Sequence, residues 1–334
     1  MIDFQLLKPR SNADAVSWSA ASPTAQQGAT VRFIGGGTTL VDLMKLNVEY
    51  PSKVIDINRL GMDSVQQQPD GSLRVGATVR NSALAHHPDV VANFAALSQA
   101  LLAGASAQLR NMATTGGNLL QRTRCPYFRD TTFTECNKRT PGSGCAAIQG
   151  HNRTNAILGG SEQCIATHAS DMAVAMMAYS AVVHVQGAKG ERDIPIAEFY
   201  KLPGSTPNVE NALQPGDLIT YVTLPAQPMG VKSTYLKLRD RASYEFALAS
   251  AAIVLKMEGS RIAHVQVALG GVGTRPWRSL EAEKVLQGKP ANAANFRAAA
   301  EAALHNAKPH SENGYKVELA KRCIVRALAN TVTT

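Results

Sequence analysis

The sequence contains the stretch Phe33-Ile34-Gly35-Gly36-Gly37-Thr38-Thr39-Leu40, in which three consecutive glycines join a predicted strand to a predicted helix. A short apolar strand, Val31 to Ile34, runs into the three glycines, and the pattern predicts a helix from Thr39 to Asn47 with Thr38 as its cap. Glycines at such a junction expose backbone N–H groups, and the helix N-terminus adds partial positive charge. The loop therefore suits a phosphate or a pyrophosphate, with a plain tight turn as the alternative. The two usual nucleotide fingerprints, G-x-G-x-x-G and the P-loop, are absent.

A second loop of the same kind is Ala113-Thr114-Thr115-Gly116-Gly117-Asn118-Leu119-Leu120. Its threonines and glycines are expected to offer free hydroxyl and N–H donors. Alone it is also compatible with an ordinary loop. Together the two loops could hold the two phosphates of a dinucleotide from different sides. On this reasoning Gly36→Val would place a Cβ where the backbone must approach a pyrophosphate, and would lower cofactor content without unfolding the chain.

The remaining pattern predicts strands and helices on both sides of a boundary near Pro225–Val231. Before it, Val54 to Ile57 reads as a strand, Asn81 to Gly104 as a helix bent near Pro88, and Asp171 to Tyr179 as a helix capped by Ser170. A hairpin is expected around 187–190 and a strand at 218–224. After the boundary, strands at 234–238 and 262–269 flank an apolar run at 246–256, and three helices follow at about 278–287, 291–306 and 311–330.

Cysteine spacing marks the segment from Gln121 to Gly160 as different. Four of the five cysteines, Cys125, Cys136, Cys145 and Cys164, fall within 40 residues, in a stretch with little periodicity. A long loop without hydrophobic pattern inside a domain is usually functional, and a metal site could replace its missing core. The C-x10-C-x8-C-x18-C spacing lacks the short knuckles of zinc sites, whereas four thiolates match a [4Fe–4S] cluster; disulfides and unrelated thiols are the alternatives. Cys323 lies in an apolar helical pattern and is expected to be a core residue.

The same segment is rich in cations. It contains Arg122, Arg124, Arg129, Lys138, Arg139 and Arg153 against Asp130 and Glu135. A cluster held by four thiolates is anionic, so neighbouring cations would stabilise it and raise its potential. A solvated basic loop is the alternative.

Composition excludes several classes of protein. Hydrophobic residues make up 45% and charged residues 18% of the 334 residues, so the chain can bury a sizeable core. No run of about 18 apolar residues exists, so no spanning helix is expected. The net charge of +9 without a run of five basic residues favours a surface that docks an acidic partner or ligand over nucleic-acid binding. The N-terminal stretch is too short and too polar for a signal peptide, and no catalytic Ser-His-Asp or paired-carboxylate pattern stands out.

The quoted loops resemble the two FAD pyrophosphate loops of molybdenum hydroxylase flavoprotein subunits, the medium-subunit family of xanthine dehydrogenase and carbon monoxide dehydrogenase. The likeness runs over essentially the whole chain and includes 235–244 and 268–272. The segments 119–129, 136–139, 141–145 and 164–168 are more specific, and they resemble the flavin subunits of bacterial periplasmic aldehyde oxidoreductases. Most members of the family lack the cysteine segment.

This resemblance implies an α+β fold. A two-part FAD-binding domain of the vanillyl-alcohol-oxidase (PCMH) type would span 1–228, with an iron–sulfur insert at 121–165. A small C-terminal domain of antiparallel sheet plus three helices would span 229–334. The residues implied to bind FAD are Arg32, Phe33, Ile34, Gly35, Gly36, Gly37, Thr38, Thr39, Leu40, Thr114, Gly117, Asn118, Asp171 and Lys237. Asp171 would hold ribityl or adenosine hydroxyls, and Lys237 would approach the flavin. Cys125, Cys136, Cys145 and Cys164 would bind one [4Fe–4S] cluster, and no residue of this chain is assigned a catalytic role.

The resemblance also implies partners. A second subunit would hold the molybdenum cofactor, at which an aldehyde becomes a carboxylic acid, and a third would hold two [2Fe–2S] clusters. Electrons would leave through FAD to an external acceptor, and this chain alone would not turn over aldehyde. Export to the periplasm would depend on a partner's signal, with a cytoplasmic location as the alternative. Two other functions stay open on the sequence: a stand-alone flavoprotein oxidase or dehydrogenase, and a non-catalytic module with structural zinc.

Overall fold

The computed structural model describes residues 1–333. The strands are β1 (Gln5–Leu7), β2 (Val31–Ile34), β3 (Lys53–Asp56), β4 (Val65–Gln67), β5 (Leu73–Gly76), β6 (Val182–Gly187), β7 (Gly190–Pro195), β8 (Leu218–Leu224), β9 (Val231–Leu238), β10 (Ala249–Glu258), β11 (Arg261–Gly270) and β12 (Trp277–Arg278). The helices are α1 (Asn12–Ser19), α2 (Leu40–Lys45), α3 (Asn81–His86), α4 (Pro88–Asn93), α5 (Ala95–Ala103), α6 (Ala107–Met112), α7 (Thr115–Leu119), α8 (Pro126–Arg129), α9 (Ala146–Gln149), α10 (Asp171–Ala178), α11 (Ile196–Phe199), α12 (Leu280–Leu286), α13 (Ala293–Leu304) and α14 (Tyr315–Thr333).

Three sheets organise these elements. The first has three parallel strands in the order β1-β3-β2, and Ile34 at the end of β2 pairs with Asp56 at the end of β3. The second is antiparallel, in the order β4-β5-β8-β6-β7. The third is also antiparallel, in the order β12-β11-β10-β9, and it is followed in sequence by α12, α13 and α14. The expected α+β class, with a C-terminal antiparallel sheet and three helices, is confirmed.

The buried apolar residues form two large hydrophobic cores. The first joins the five-stranded sheet to α3, α5 and α10, and every residue of α10 after Asp171 is buried in it. The second packs one face of β10 and β11 against α12, α13 and α14, and it also takes in Ile157 and Leu158 from the cysteine-rich segment. That segment is therefore anchored to the C-terminal core. Among residues 1–333, none of the helices has the length and apolarity needed to span a bilayer.

Several elements differ from the sequence pattern. The helix expected from Asn81 to Gly104 is three short helices, because Pro88 disfavours a helical residue before it and Phe94 leaves the helical region to pack edge-on against Tyr179. The first glycine loop enters α2 through Thr39 rather than Thr38, and Thr39 makes no side-chain capping bond. The segment from 121 to 160 contains the single-turn helices α8 and α9, so it is irregular but not structureless.

Candidate functional site

The first glycine loop forms one wall of a cleft of about 1280 Å³. We call it the glycine-loop cleft; the implied FAD residues that line it are Arg32, Phe33, Ile34, Gly35, Gly36, Gly37, Thr38, Thr39, Leu40, Thr114 and Gly117. Gly37 has a φ of +71°, a backbone conformation that favours glycine. Among residues 1–333, the backbone N–H groups of Gly36, Gly37 and Thr38 have no hydrogen-bond acceptor. This row of free donors ahead of α2 fits an anionic ligand such as a pyrophosphate.

The two glycine loops lie in direct contact with each other. A Cβ added to Gly36 would stand 1.9 Å from the carbonyl oxygen of Met112, and one added to Gly35 would stand 2.7 Å from Oγ1 of Thr114. From the sequence, glycine is expected at position 36 because a ligand approaches the backbone there. The geometry corrects that reason: the missing Cβ at Gly36 makes room for the second loop, so the glycine shapes the cleft by bringing two backbones together.

Asn58 and Arg80 hold this contact, and the sequence analysis missed both. Asn58 Nδ2 donates to the carbonyl oxygen of Gly35 at 2.9 Å, and Arg80 donates to Asn58 Oδ1 at 3.0 Å and to the carbonyl oxygen of Met112. Asn58 follows β3, whose carboxyl end lies beside that of β2. Polar residues that follow neighbouring parallel strands meet at the same edge of the sheet. The position of Asn58 just after a buried strand could therefore have indicated that it lies at the site.

The second loop differs from its expectation. Its N–H groups are used internally: Thr115, Gly116 and Asn118 donate to backbone carbonyls, and Gly117 donates to Oγ1 of Thr114 at 3.2 Å. The prediction of free N–H donors is therefore wrong for this loop, because it folds into α7 with Thr114 as its N-cap. Thr114, Gly116 and Gly117 of this loop still line the glycine-loop cleft.

Asp171 lies in a second pocket of about 650 Å³, which we call the carboxylate pocket. Its two carboxylate oxygens are held by residues of β9: Tyr235 donates to Oδ1 at 2.5 Å and Lys237 Nζ donates to Oδ2 at 2.8 Å. Lys237 is almost fully buried and also donates to the carbonyl oxygen of Ala103 at 3.1 Å. The structure thus brings Asp171 and Lys237 together, and it adds Tyr235 as a fixing group. Burial raises the pKa of Tyr235, so its hydroxyl remains a donor.

Asn118, also expected to bind FAD, is not among the residues that line either of these two pockets. Ser170 Oγ donates to Asn118 Oδ1 at 2.6 Å and, as N-cap of α10, accepts from the N–H of Ala173. Asn118 thus ties the second glycine loop to the start of the helix that carries Asp171. The capping role expected of Ser170 is confirmed.

The four clustered cysteines line one small pocket of about 270 Å³, which we call the cysteine pocket. All five cysteines of the chain are free thiols, and Cys136 and Cys145 face each other in an antiparallel bridge. Burial raises the pKa of Cys125, partly offset by hydrogen bonds that include one from Asn155, and it raises the pKa of Cys164 to about 12. Cys323 is buried in the C-terminal core, away from this pocket.

The spacing of these thiols bears on what they could hold. No three His, Cys, Asp or Glu side chains within residues 1–333 come close enough to bind a single metal ion. Thiolates around one zinc ion stand about 3.8 Å apart, as Zn–S bonds of 2.3 Å in a tetrahedron require. A cubane cluster sets its thiolates further apart, because each binds a different iron. In the described chain, four free thiols converge on one pocket, and no three of them stand close enough to hold a single metal ion.

A network of buried ion pairs extends from residues that line the glycine-loop cleft to Lys138, which lines the cysteine pocket. Arg32 lines the cleft, but its guanidinium charge is already paired with the Glu49 carboxylate at 2.9 Å. Arg122 also pairs with Glu49 and contacts Glu210, which in turn pairs with Lys138 at 2.9 Å. Burial alone would raise the pKa of Glu210, but Arg122 and Lys138 bring it down to about 2. Glu210 is therefore a carboxylate at neutral pH.

His168 lies beside the carboxylate pocket, close to the cysteines. Its Nδ1 accepts from the N–H of Ser170 at 3.3 Å, its ring packs edge-on against Tyr200, and its buried Nε2 has no partner in the described chain. Burial lowers the pKa of His168 to about 4, so the ring is neutral at pH 7. Cys125 lines both the carboxylate pocket and the cysteine pocket, so the two are neighbours.

Comparisons with known proteins agree with this geometry. Residues 2–227 match the family described as FAD binding domain in molybdopterin dehydrogenase, and residues 233–331 match the CO dehydrogenase flavoprotein C-terminal domain. The chain is 51% identical, over 92% of its length and 94% of the relative's, to the aldehyde oxidoreductase FAD-binding subunit PaoB of Escherichia coli K12. It is 26% identical to the carbon monoxide dehydrogenase medium chain of Afipia carboxidovorans, over 85% of this chain and 80% of that one. Among solved structures, a carbon monoxide dehydrogenase chain from Hydrogenophaga pseudoflava superposes with a TM-score of 0.77 at 24% identity, over 100% of this chain and 99% of that one, which shows a shared fold.

Proposed function

The chain belongs to the family of FAD-binding subunits of molybdenum hydroxylases, and from that premise we propose that it is the FAD and [4Fe–4S] electron-transfer subunit of an aldehyde oxidoreductase. The observation that carries the proposal is the convergence of four free cysteines on one pocket beside the carboxylate pocket. The identity of 51% to an aldehyde oxidoreductase FAD-binding subunit supports the reaction class. FAD, when bound, supplies the exchange between two-electron and one-electron transfer.

The chain's own residues would divide the work of holding FAD. The free N–H groups of Gly36, Gly37 and Thr38 would donate to the pyrophosphate. Asp171 would accept hydrogen bonds from ribityl or adenosine hydroxyls, since Tyr235 and Lys237 fix the carboxylate but leave lone pairs on both of its oxygens. Thr114, Gly117 and Asn118 would set the distance between the two sites. Lys237 would act through Asp171, to which its ammonium is already committed.

The cysteines would bind the cluster as four thiolates. Because burial raises the pKa values of Cys125, Cys145 and Cys164, these thiols are protonated at neutral pH in the absence of metal. Binding iron must then displace protons, which couples loading of the cluster to pH and to folding of the surrounding segment. Asn155, whose amide lies 3.8 Å from Cys125 Sγ, would orient one of the ligands.

The proposal extends to domains, partners and location. We divide the chain into an FAD-binding domain at 1–228, with the iron–sulfur insert at 121–165, and a C-terminal domain at 229–334. The two large hydrophobic cores support this division in that each draws most of its residues from one side of the boundary. The partners would be a molybdenum-cofactor subunit and a [2Fe–2S] subunit in a heterotrimer, with an external electron acceptor and no nucleic acid. The compartment would be the periplasm, as the resemblance to periplasmic aldehyde oxidoreductases implies, and fractionation of the native complex would test it.

Metal analysis of the purified native complex and of the chain separated from it tests the central claim. We expect one FAD and four irons in the separated chain, and eight irons per heterotrimer because the two [2Fe–2S] clusters of the partner would add four. The separated chain should give a paramagnetic signal at low temperature after reduction. Replacing any one of Cys125, Cys136, Cys145 or Cys164 by Ser should lose or degrade that signal and disorder the insert. Cys323→Ser is the matched control and should leave iron unchanged, because Cys323 is buried in the other core. Stoichiometric zinc without iron, or a disulfide between two of the four, would refute the cluster.

The same preparation separates the alternatives. A stand-alone flavoprotein would show flavin absorbance without a cluster and would oxidise a substrate in the absence of partners. A zinc module would show neither flavin nor iron. Salt-sensitive DNA binding at physiological ionic strength, without copurifying subunits, would favour a nucleic-acid function.

A further inference from the structure

The six cations of the cysteine-rich segment do not share one environment. Arg124 and Arg129 both pair with Asp42, and Arg153 pairs with Asp240 on the surface. Arg139 donates to the backbone carbonyls of neighbouring turns. Arg122 is committed to Glu49 and Glu210.

Lys138 is different, because within the described chain it is the one of these six that lines the cysteine pocket. Its side chain is only 11% exposed, and it stands in the wall together with all four cysteines. Lys138 and Cys164 also line a second, adjoining cavity together, so the two side chains are close neighbours. Lys138 therefore borders the four thiols, and its side chain is poorly screened by solvent.

The ammonium is also held in place. Lys138 Nζ donates to Glu210 Oε1 and to the carbonyl oxygen of Pro207, both at 2.9 Å. The other carboxylate oxygen of Glu210 accepts from Arg122 Nε, and Arg122 is fixed in turn by Glu49. A buried cation with two acceptors at hydrogen-bond distance, one of them an anchored carboxylate, has little freedom to move when the charge beside it changes.

We propose that Lys138 is the cation that sets the reduction potential of the cluster held by the four cysteines, and that Glu210 is the positioning residue that keeps it there. The inference rests on the proposed cluster. Reduction adds one negative charge to an already anionic centre, and a fixed buried ammonium stabilises the reduced form more than the oxidised form. Removing the ammonium therefore lowers the potential, whereas removing the compensating charge of Glu210 raises it.

The test is a redox titration of the native complex, followed by paramagnetic resonance of the cluster, on matched variants. Lys138→Met removes the charge at similar length and should shift the redox equilibrium at least tenfold toward the oxidised form, a fall of 59 mV for a one-electron couple. Lys138→Arg keeps the charge and should restore most of the potential. Arg153→Met removes the same charge from a side chain that is 50% exposed, and it should leave the potential within error of wild type because solvent and salt screen it.

Glu210→Gln is expected to shift the potential in the opposite direction to Lys138→Met. It keeps the proposal testable if the Lys138 variant fails to bind iron. It should raise the potential, since the amide oxygen of Gln and the carbonyl oxygen of Pro207 can still hold the Lys138 ammonium while the counter-charge is lost. Equal potentials in wild type and Lys138→Met, an equal fall in Lys138→Arg and Lys138→Met, or a fall in Glu210→Gln would each overturn the proposal. Failure of the proposed function is distinguishable, because the wild-type complex would then show [2Fe–2S] signals only and no [4Fe–4S] signal to titrate.

Discussion

Replacing Gly36 by Ala is the sharpest test of the loop contact that shapes the glycine-loop cleft. The added Cβ would lie 1.9 Å from the carbonyl oxygen of Met112 and 2.9 Å from Cα of Ala113. Both atoms belong to backbone, so no side-chain rotation relieves the contact. Even a tight separation of 3.0 Å requires the two loops to part by about 1.1 Å.

The size of the effect follows from that displacement. Overpacking of this kind costs roughly 1–3 kcal/mol. If the whole cost falls on the state that binds FAD, the affinity drops by about 5- to 150-fold. Because Gly36, Met112 and Ala113 belong to neither large core, we expect the fold to persist and the cofactor to be lost first.

The assay is FAD content per chain in the purified complex, with the dissociation constant measured from the fluorescence of released flavin. Gly314→Ala is the matched control, since a Cβ there meets open space and the backbone is not left-handed. Gly35→Ala should be intermediate, because its Cβ meets the Thr114 hydroxyl at 2.7 Å, and a side chain can rotate away. An FAD affinity in Gly36→Ala equal to that of Gly314→Ala would refute the argument.

Three further predictions use other residues of the site. Tyr235→Phe removes a hydrogen bond to the Asp171 carboxylate, which should cost about 1.5–3 kcal/mol and weaken FAD binding, as denaturation midpoints and flavin titration would show; unchanged values would mean that the hydroxyl does not fix the carboxylate. Asn58→Ala removes the donor to the first glycine loop, so FAD content should fall while the far-ultraviolet circular dichroism spectrum is retained; a lower melting temperature at full FAD content would argue for a purely structural role. His168 binds a proton below about pH 6.5 when unfolded but only near pH 4 when folded, so the unfolded state binds more protons between those values and stability falls as pH drops through them. In melting experiments His168→Gln should remove part of this loss and His305→Gln, at an exposed position, should not; parallel pH profiles for His168→Gln and wild type would contradict the shift.

Local signals in the sequence determined the elements and the two kinds of cofactor loop. Both β2 (Val31–Ile34) and β8 (Leu218–Leu224) have the bounds that the sequence predicted. Each is an apolar run that is followed by Gly or Pro. Ser170 predicted the start of α10, since a capping hydroxyl acts on the N–H groups a few residues ahead. Unequal cysteine spacing pointed to a site that a short zinc knuckle could not explain, and the four thiols do line one pocket.

Contacts between residues far apart in sequence could not be predicted before the chain was seen folded. Lys237 and Tyr235 reach Asp171 across more than 60 positions, and Arg122 reaches Glu210 across 88. Such pairs leave no local pattern, because any carboxylate can pair with any cation until packing removes both from water. Likewise, glycines at a strand–helix junction indicate a close approach but not to what. Gly36 meets a second stretch of backbone because the carboxyl end of β2 and the turn before α7 converge, a relation set by the packing of two sheets.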